Sequence, residues 1–138
     1  MSEKTPMPLF AELVSPERVM FSGDVESIVL PGVEGDMTIL PGHAPLVALL
    51  NPGFVFARDT EGKARRAFVR GGMVEVTGST VTILAERAVA VEELTHELLD
   101  EEILHLTMTR DASVDHSARL QADIAISRLE EFKASLNL

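Results

Sequence analysis

The sequence predicts an all-β N-terminal sandwich of about ten strands over residues 1–91, followed by a C-terminal α-helical hairpin over residues 92–138. Three observations predict it. Between Leu9 and Val91, short apolar runs alternate with turn signals built from Pro, Gly, Asn and Asp. No helical pattern interrupts those runs, which excludes an alternating βαβ architecture. After Val91 the hydrophobic period changes: Leu99, Ile103 and Leu106 recur at i, i+4 and i+7.

The strands are expected in this order: Leu9–Val14, Arg18–Ser22, Val25–Leu30, Asp36–Leu40, Leu46–Leu50, Gly53–Arg58, Ala64–Arg70, Met73–Thr77, Thr80–Ala85 and Ala88–Val91. Turns separate them at Ser15-Pro16, Ser22-Gly23-Asp24, Pro31-Gly32, Pro41-Gly42, Asn51-Pro52-Gly53, Asp59–Gly62, Gly71-Gly72 and Gly78-Ser79. Alternation is clearest in Val74-Glu75-Val76 and Val81-Thr82-Ile83, where β-branched residues favour a pleated surface. Many short strands at regular spacing indicate a sandwich or barrel.

The first helix has Thr95 as N-cap and acids in its first turn, where the helix dipole favours them. Its packing residues are Leu99, Ile103 and Leu106, with Leu94 and Leu98 beside them. Thr107–Ser113 reads as a loop. The second helix starts near Asp115, with a stripe of Ala118, Ala122, Ala125, Leu129, Phe132 and Leu136. Its alanines let another helix backbone approach closely. Two helices joined by a short loop make an antiparallel hairpin.

Composition narrows the function classes. The net charge is −10, which argues against nucleic acid, because phosphate binding needs clustered Lys and Arg. It argues equally against direct attraction to anionic lipid. The charge is uneven: residues 1–91 carry eleven acids against eight bases, and residues 92–138 eleven against four. No apolar run approaches the ~18 residues of a membrane span. The N-terminus MSEKTPMP has no signal-peptide core and no Arg-rich transit character, so the chain is expected to stay in the compartment where it is made. The absence of Cys removes disulfides and thiol chemistry and fits a cytoplasmic protein.

Candidate chemical constellations are sparse. His96-Glu97-Leu98-Leu99-Asp100 is a broken zinc-protease pattern: Asp100 stands where the second imidazole belongs, and no third ligand is evident. His43 follows Pro41-Gly42 with no nucleophile nearby. Glu34 and Asp36 flank Gly35, and paired carboxylates serve acid–base work, a cation or simply a solvated turn. Gly71-Gly72 lacks the phosphate-loop pattern and reads as a hairpin turn. Arg65, Arg66 and Arg70 form a basic cluster on a strand to which no chemistry is assigned. No catalytic residue, metal or cofactor is expected.

The stretch Pro31–Leu46, PGVEGDMTILPGHAPL, resembles the epsilon subunit of bacterial F-type ATP synthases. Met20-Phe21-Ser22-Gly23, Gly71-Gly72-Met73-Val74-Glu75-Val76 and Val81-Thr82-Ile83-Leu84-Ala85 match in the same order, so the resemblance covers the whole chain. It implies a non-catalytic central-stalk subunit that couples proton flow to ATP synthesis and restrains hydrolysis. It implies the gamma subunit and the c ring as partners, and the catalytic beta subunits when the hairpin extends. The residues so implied for the contact with c ring and gamma subunit are Glu34, Asp36 and His43, with Asp36 facing an Arg of the ring. Membrane contact would come only through partner subunits, at the cytoplasmic face of a bacterial inner membrane. Some relatives bind ATP on the hairpin through a motif that would fall on Leu94–Leu99. Only Leu94 fits it, and Leu98 replaces its Arg, so ATP binding is expected to be weak or absent. The alternatives are a free-standing β-sandwich binding module and an enzyme resting on His96-Glu97 or His43-Asp36.

Overall fold

The computed structural model describes residues 8–136. Nine strands form one hydrogen-bonded network: β1 Leu9–Val14, β2 Val19–Gly32, β3 Gly35–Ile39, β4 Leu46–Leu50, β5 Gly53–Asp59, β6 Ala64–Val69, β7 Gly72–Val76, β8 Thr80–Ala85 and β9 Ala88–Ala90. A single 3-10 turn, Val91–Glu93, leads to helices α1, His96–Ala112, and α2, His116–Ser135. The strand order is β1-β8-β7-β4-β2-β5-β6-β9, with β3 on β2 and a further β1–β2 pairing. The strands form two layers, β1-β8-β7-β4 and β2-β5-β6-β9, and the long β2 belongs to both.

That length corrects the expected count. The break anticipated at Ser22-Gly23-Asp24 does not exist, because Phe21 to Val25 pair without interruption with Leu13 to Leu9 of β1. Further along, β2 pairs with β5, after an irregularity between Val25 and Ser27. Gly71-Gly72 is not a hairpin turn either: β6 pairs with β5 and β9, whereas β7 pairs with β4 and β8. The two glycines carry the chain from one layer to the other. Gly72 has φ +143°, and a Cβ there would stand 2.1 Å from the Leu84 carbonyl oxygen, so a side chain is excluded on both counts.

Alternation along the strands sorts residues into two cores. Leu9, Ala11, Leu13, Ile28, Leu30, Val55, Ala57, Val74, Val76, Val81 and Ile83 fill the space between the layers. Phe68 and Val89 point the other way and join Leu94, Leu99, Leu106, Ala125, Ile126 and Leu129 in a second cluster, with Phe54 and Phe132 packed against it. Phe54, Phe68 and Val89 are register neighbours across β5, β6 and β9. The Phe54 ring meets Phe68 edge-on at 5.8 Å and Phe132 at 5.4 Å. The hairpin therefore docks on the outer face of the β5-β6-β9 layer.

Both helix starts are capped as the sequence indicates: the Thr95 hydroxyl accepts from Leu98 N and the Asp115 carboxylate from Ala118 N. The segment expected to be a loop, Thr107–Ser113, is helical as far as Ala112. Thr107 and Thr109 donate their hydroxyls back to the carbonyls of Ile103 and His105, so these β-branched residues are accommodated inside the helix. Of the expected packing residues, Leu99, Ala122, Ala125 and Leu129 are buried, and Ile103 and Phe132 are partly buried. Ala118 is exposed: it sits in the first turn of α2, beyond the reach of the core.

Candidate functional site: two surfaces and one buried carboxylate

The segment from Pro31 to Leu46 faces the second helix. Pro31 and Gly32 end β2, and a tight turn at Gly35, φ +124°, brings the chain back as β3. The turn leaves Glu34 and Asp36 exposed. They are not left to solvent alone: Asp36 Oδ1 lies 3.5 Å from Arg128 Nη1 on α2. On the same side the Asn51 side chain donates to Gln121 at 2.8 Å, and Gln121 donates to the Val33 carbonyl at 3.4 Å. Loop and second helix thus enclose a cleft of about 230 Å³. His43 is placed apart from this contact. Its Nδ1 donates to the Ala44 carbonyl at 2.7 Å, while its backbone N–H closes a turn onto Leu40. The Asp36 carboxylate therefore has a partner inside the chain, which the sequence did not reveal, 92 positions along at Arg128.

The outer face of the other layer is bare. Leu49 stands opposite Met73, and Met73 opposite Leu84. These three residues and Val47 form an apolar row across β4, β7 and β8 that no element among the described residues covers. Leu49 is 63% exposed and Leu84 49%. A contiguous exposed apolar patch marks an interaction surface. The run Leu46–Leu50 reads as continuously apolar in sequence, so its division into a buried and a bare side was not visible there.

The third feature is Glu102, which is 1% exposed. A carboxylate removed from water must be paired. Arg70 grips it through two bonds, Nε at 3.1 Å and Nη2 at 2.8 Å, and Arg87 Nη1 adds a third at 2.9 Å. The two arginines meet because the two crossings between layers run side by side: Arg70 N donates to the Arg87 carbonyl and Glu86 N to the Gly71 carbonyl. The hydrogen bond to Glu102 holds the Arg70 guanidinium above its ordinary range and outweighs the opposing effect of burial. Arg70, left without a role in the sequence reading, thus anchors the hairpin. Its former companions Arg65 and Arg66 remain exposed.

Among the described residues no catalytic arrangement assembles around His96-Glu97. The Asp100 carboxylate pairs with Lys133 of α2. Among the described residues no group of three or more His, Cys, Asp or Glu could hold a metal ion. No helix among them is long and apolar enough to cross a membrane.

A family model described as the beta-sandwich domain of the ATP synthase delta/epsilon chain matches residues 9–91. The chain belongs to this family. The ATP synthase epsilon chain of Maricaulis maris (strain MCS10) is 40% identical over 126 residues, which cover 91% of this chain and 94% of the relative. The epsilon chain of Parvibaculum lavamentivorans (strain DS-1) is 48% identical over 92 residues, covering 67% and 70%. Among solved structures, a chain of the Euglena gracilis mitochondrial ATP synthase, in a cryo-EM structure of OSCP, F1 and c-ring, superposes with a TM-score of 0.70 at 27% identity. The match covers 99% of this chain and 86% of that one. A chain from the central stalk and c-ring of the Tetrahymena thermophila mitochondrial enzyme has a TM-score of 0.61 at 15% identity, a likeness of fold alone. In this epsilon-type chain the strand-rich part is the family domain, and the hairpin lies beyond its last matched residue.

Proposed function

We propose that the chain is a non-catalytic central-stalk subunit of a proton-translocating F-type ATP synthase. The likeness to a curated epsilon chain along nine-tenths of both sequences carries this reading. The two outer faces of the sandwich support it physically. One is covered by the chain's own hairpin. The other presents the row Leu49, Met73 and Leu84, which a rotor shaft would cover, and we assign it to the gamma subunit. A stiff closed β body suits a part that transmits torque.

The loop bearing Glu34, Asp36 and His43 is assigned to the c ring and the foot of the shaft. Asp36 is the residue that would meet a ring Arg, a charge-assisted contact. Residues 92–138 act as a regulatory arm. Exposed Leu104, Met108, Leu120 and Ile124 give that arm apolar surface for a second packing, against the catalytic beta subunits. The chain would sit peripherally, at the cytoplasmic face of a bacterial inner membrane, held there by partner subunits. Affinity purification of the tagged chain from detergent-solubilised membranes tests the proposal. Recovery together with the synthase subunits is expected. A chain that elutes alone would instead be the free-standing binding module.

A further inference from the structure

A second cavity lies at the corner of the sandwich away from the hairpin contacts. It arises from a gap in strand pairing. β9 covers β6 only at Ala67, Phe68 and Val69, and the chain then turns off at Val91. The other half of β6, Ala64 to Arg66, therefore has β5 on one side and, among the described residues, no strand on the other. Across the gap, β2 pairs only with β1 until Val25, where it joins β5. The two layers gape between these strands, leaving a half-open cavity of about 300 Å³.

Its floor is the sandwich core itself: Leu13, Ile28, Val55 and Ile83, all buried residues, line it together with Phe21. Its mouth is charged. Lys63, Arg65 and Arg66 stand there with Glu12 and Glu92. Arg65 is already engaged, 5.5 Å above the Phe21 ring and 3.8 Å from Asp59. Lys63 and Arg66 are in no ion pair among the described residues. Glu12 and Glu92 are likewise in no ion pair among the described residues, so the mouth carries three cations against two carboxylates above an apolar interior, a local excess of one positive charge on a chain of net charge −10.

We propose that this cavity binds a medium-chain carboxylate, with the alkyl chain between the layers and the head at Lys63 and Arg66. An apolar cavity of about 150 Å³ takes one benzene ring, and ligand pockets start near 300 Å³. By that scale this cavity has room for a chain of roughly eight to ten carbons. The lining holds three cations against two carboxylates, and this excess sets the sign of the head: a carboxylate takes charge-assisted bonds from Lys63 and Arg66, whereas an ammonium could use only Glu12 and Glu92 with the cations opposing it. The site shares no residue with the loop, the bare apolar row or the Glu102 contact, so it stands whether or not the stalk assignment does.

Isothermal titration of the full chain with decanoate at about pH 7.5, where the carboxylate is ionised, tests the proposal. Decyltrimethylammonium is the matched cationic probe. One decanoate per chain is expected, with the ammonium probe at least ~10-fold weaker. Lys63→Glu with Arg66→Glu, both exposed positions, should weaken decanoate ~10-fold or more without shifting the melting temperature. Ala64→Trp, at the exposed lip, should block the mouth by bulk and do the same. Absence of binding, equal binding of the two probes, or affinity unchanged in both variants would overturn the assignment. The last result would mean the alkyl chain adsorbs elsewhere, such as on Leu49 and Met73.

Discussion

Replacing Glu102 by Ala should detach the hairpin without unfolding the sandwich. Glu102 accepts three bonds from two arginines, at 2.8, 2.9 and 3.1 Å, and is the only charged residue of α1 taken fully out of water. Removing one partner of a buried ion pair costs about 3–5 kcal/mol, chiefly through the charge left behind. Here the charges left behind are the Arg70 and Arg87 side chains, 25% and 31% exposed, which can turn to water, and Arg87 keeps Glu101 at 3.8 Å. The loss should therefore fall at or just below the lower limit of that range, about 2–3 kcal/mol, an opening equilibrium shifted by roughly 30- to 150-fold. Glu102→Gln keeps the shape and an acceptor but not the charge, and should lose about half as much. Hydrogen exchange reads this segment by segment. Amides of α1 and α2 should lose protection by the predicted factor, while those of β2 and β5 keep theirs. Because the Arg70 guanidinium is raised above its ordinary range, its contribution is complete below its unfolded value and is lost only as pH rises through the folded one. Moving from about pH 6 to pH 9 should therefore leave the arginine side of the contact unchanged. Equal loss of protection in sandwich and hairpin, or a change under about 3-fold, would refute the reasoning.

Other outcomes follow from the same geometry. Leu49→Asp or Leu84→Asp, both on the bare row, should leave the isolated chain within about 0.5 kcal/mol of its stability yet abolish recovery with the synthase in affinity purification. Asp36→Lys should impair ATP-driven proton pumping more than Asp36→Ala, since reversal sets like charges together at the ring and also against Arg128. Equal, negligible effects would place the loop elsewhere. Deletion of residues 92–138 should preserve coupling and raise ATP hydrolysis only a few-fold, because an arm with eleven acids and only four bases has few cations with which to hold a second packing. The same deletion should lower solubility, since it uncovers Phe54, Phe68 and Val89, which light scattering would record. Titration with Mg-ATP should show no tight binding: six acids and no Lys or Arg stand between Glu92 and Leu106.

What was legible in the sequence was local. Turn chemistry and alternation place most strands within a residue or two, and Thr95 and Asp115 mark the helix starts because capping is a short-range bond. Errors arose where a local signal has two meanings. Gly23 reads as a turn but lies in extended backbone inside β2, and Gly71-Gly72 reads as a hairpin but joins layers. Thr107 and Thr109 favour non-helical backbone until their hydroxyls find carbonyls one turn back. The contacts that define the candidate surfaces are the least legible, because they are set by tertiary approach. Glu102 sits in the acidic run Asp100-Glu101-Glu102 and looks solvated. Only the adjacency of two layer crossings brings Arg70 and Arg87 to it. Asp36 finds Arg128 for the same kind of reason, and the bare side of Leu46–Leu50 follows from where the hairpin does not dock.

The central claim is that this chain couples the rotor of an ATP synthase. It is tested most directly by measuring ATP synthesis in membrane vesicles stripped of the chain and then resupplied with it. The account predicts that stripped vesicles pass protons without making ATP and that purified chain restores synthesis, whereas a Leu49→Asp chain does not. Synthesis that proceeds equally with and without the chain would contradict it.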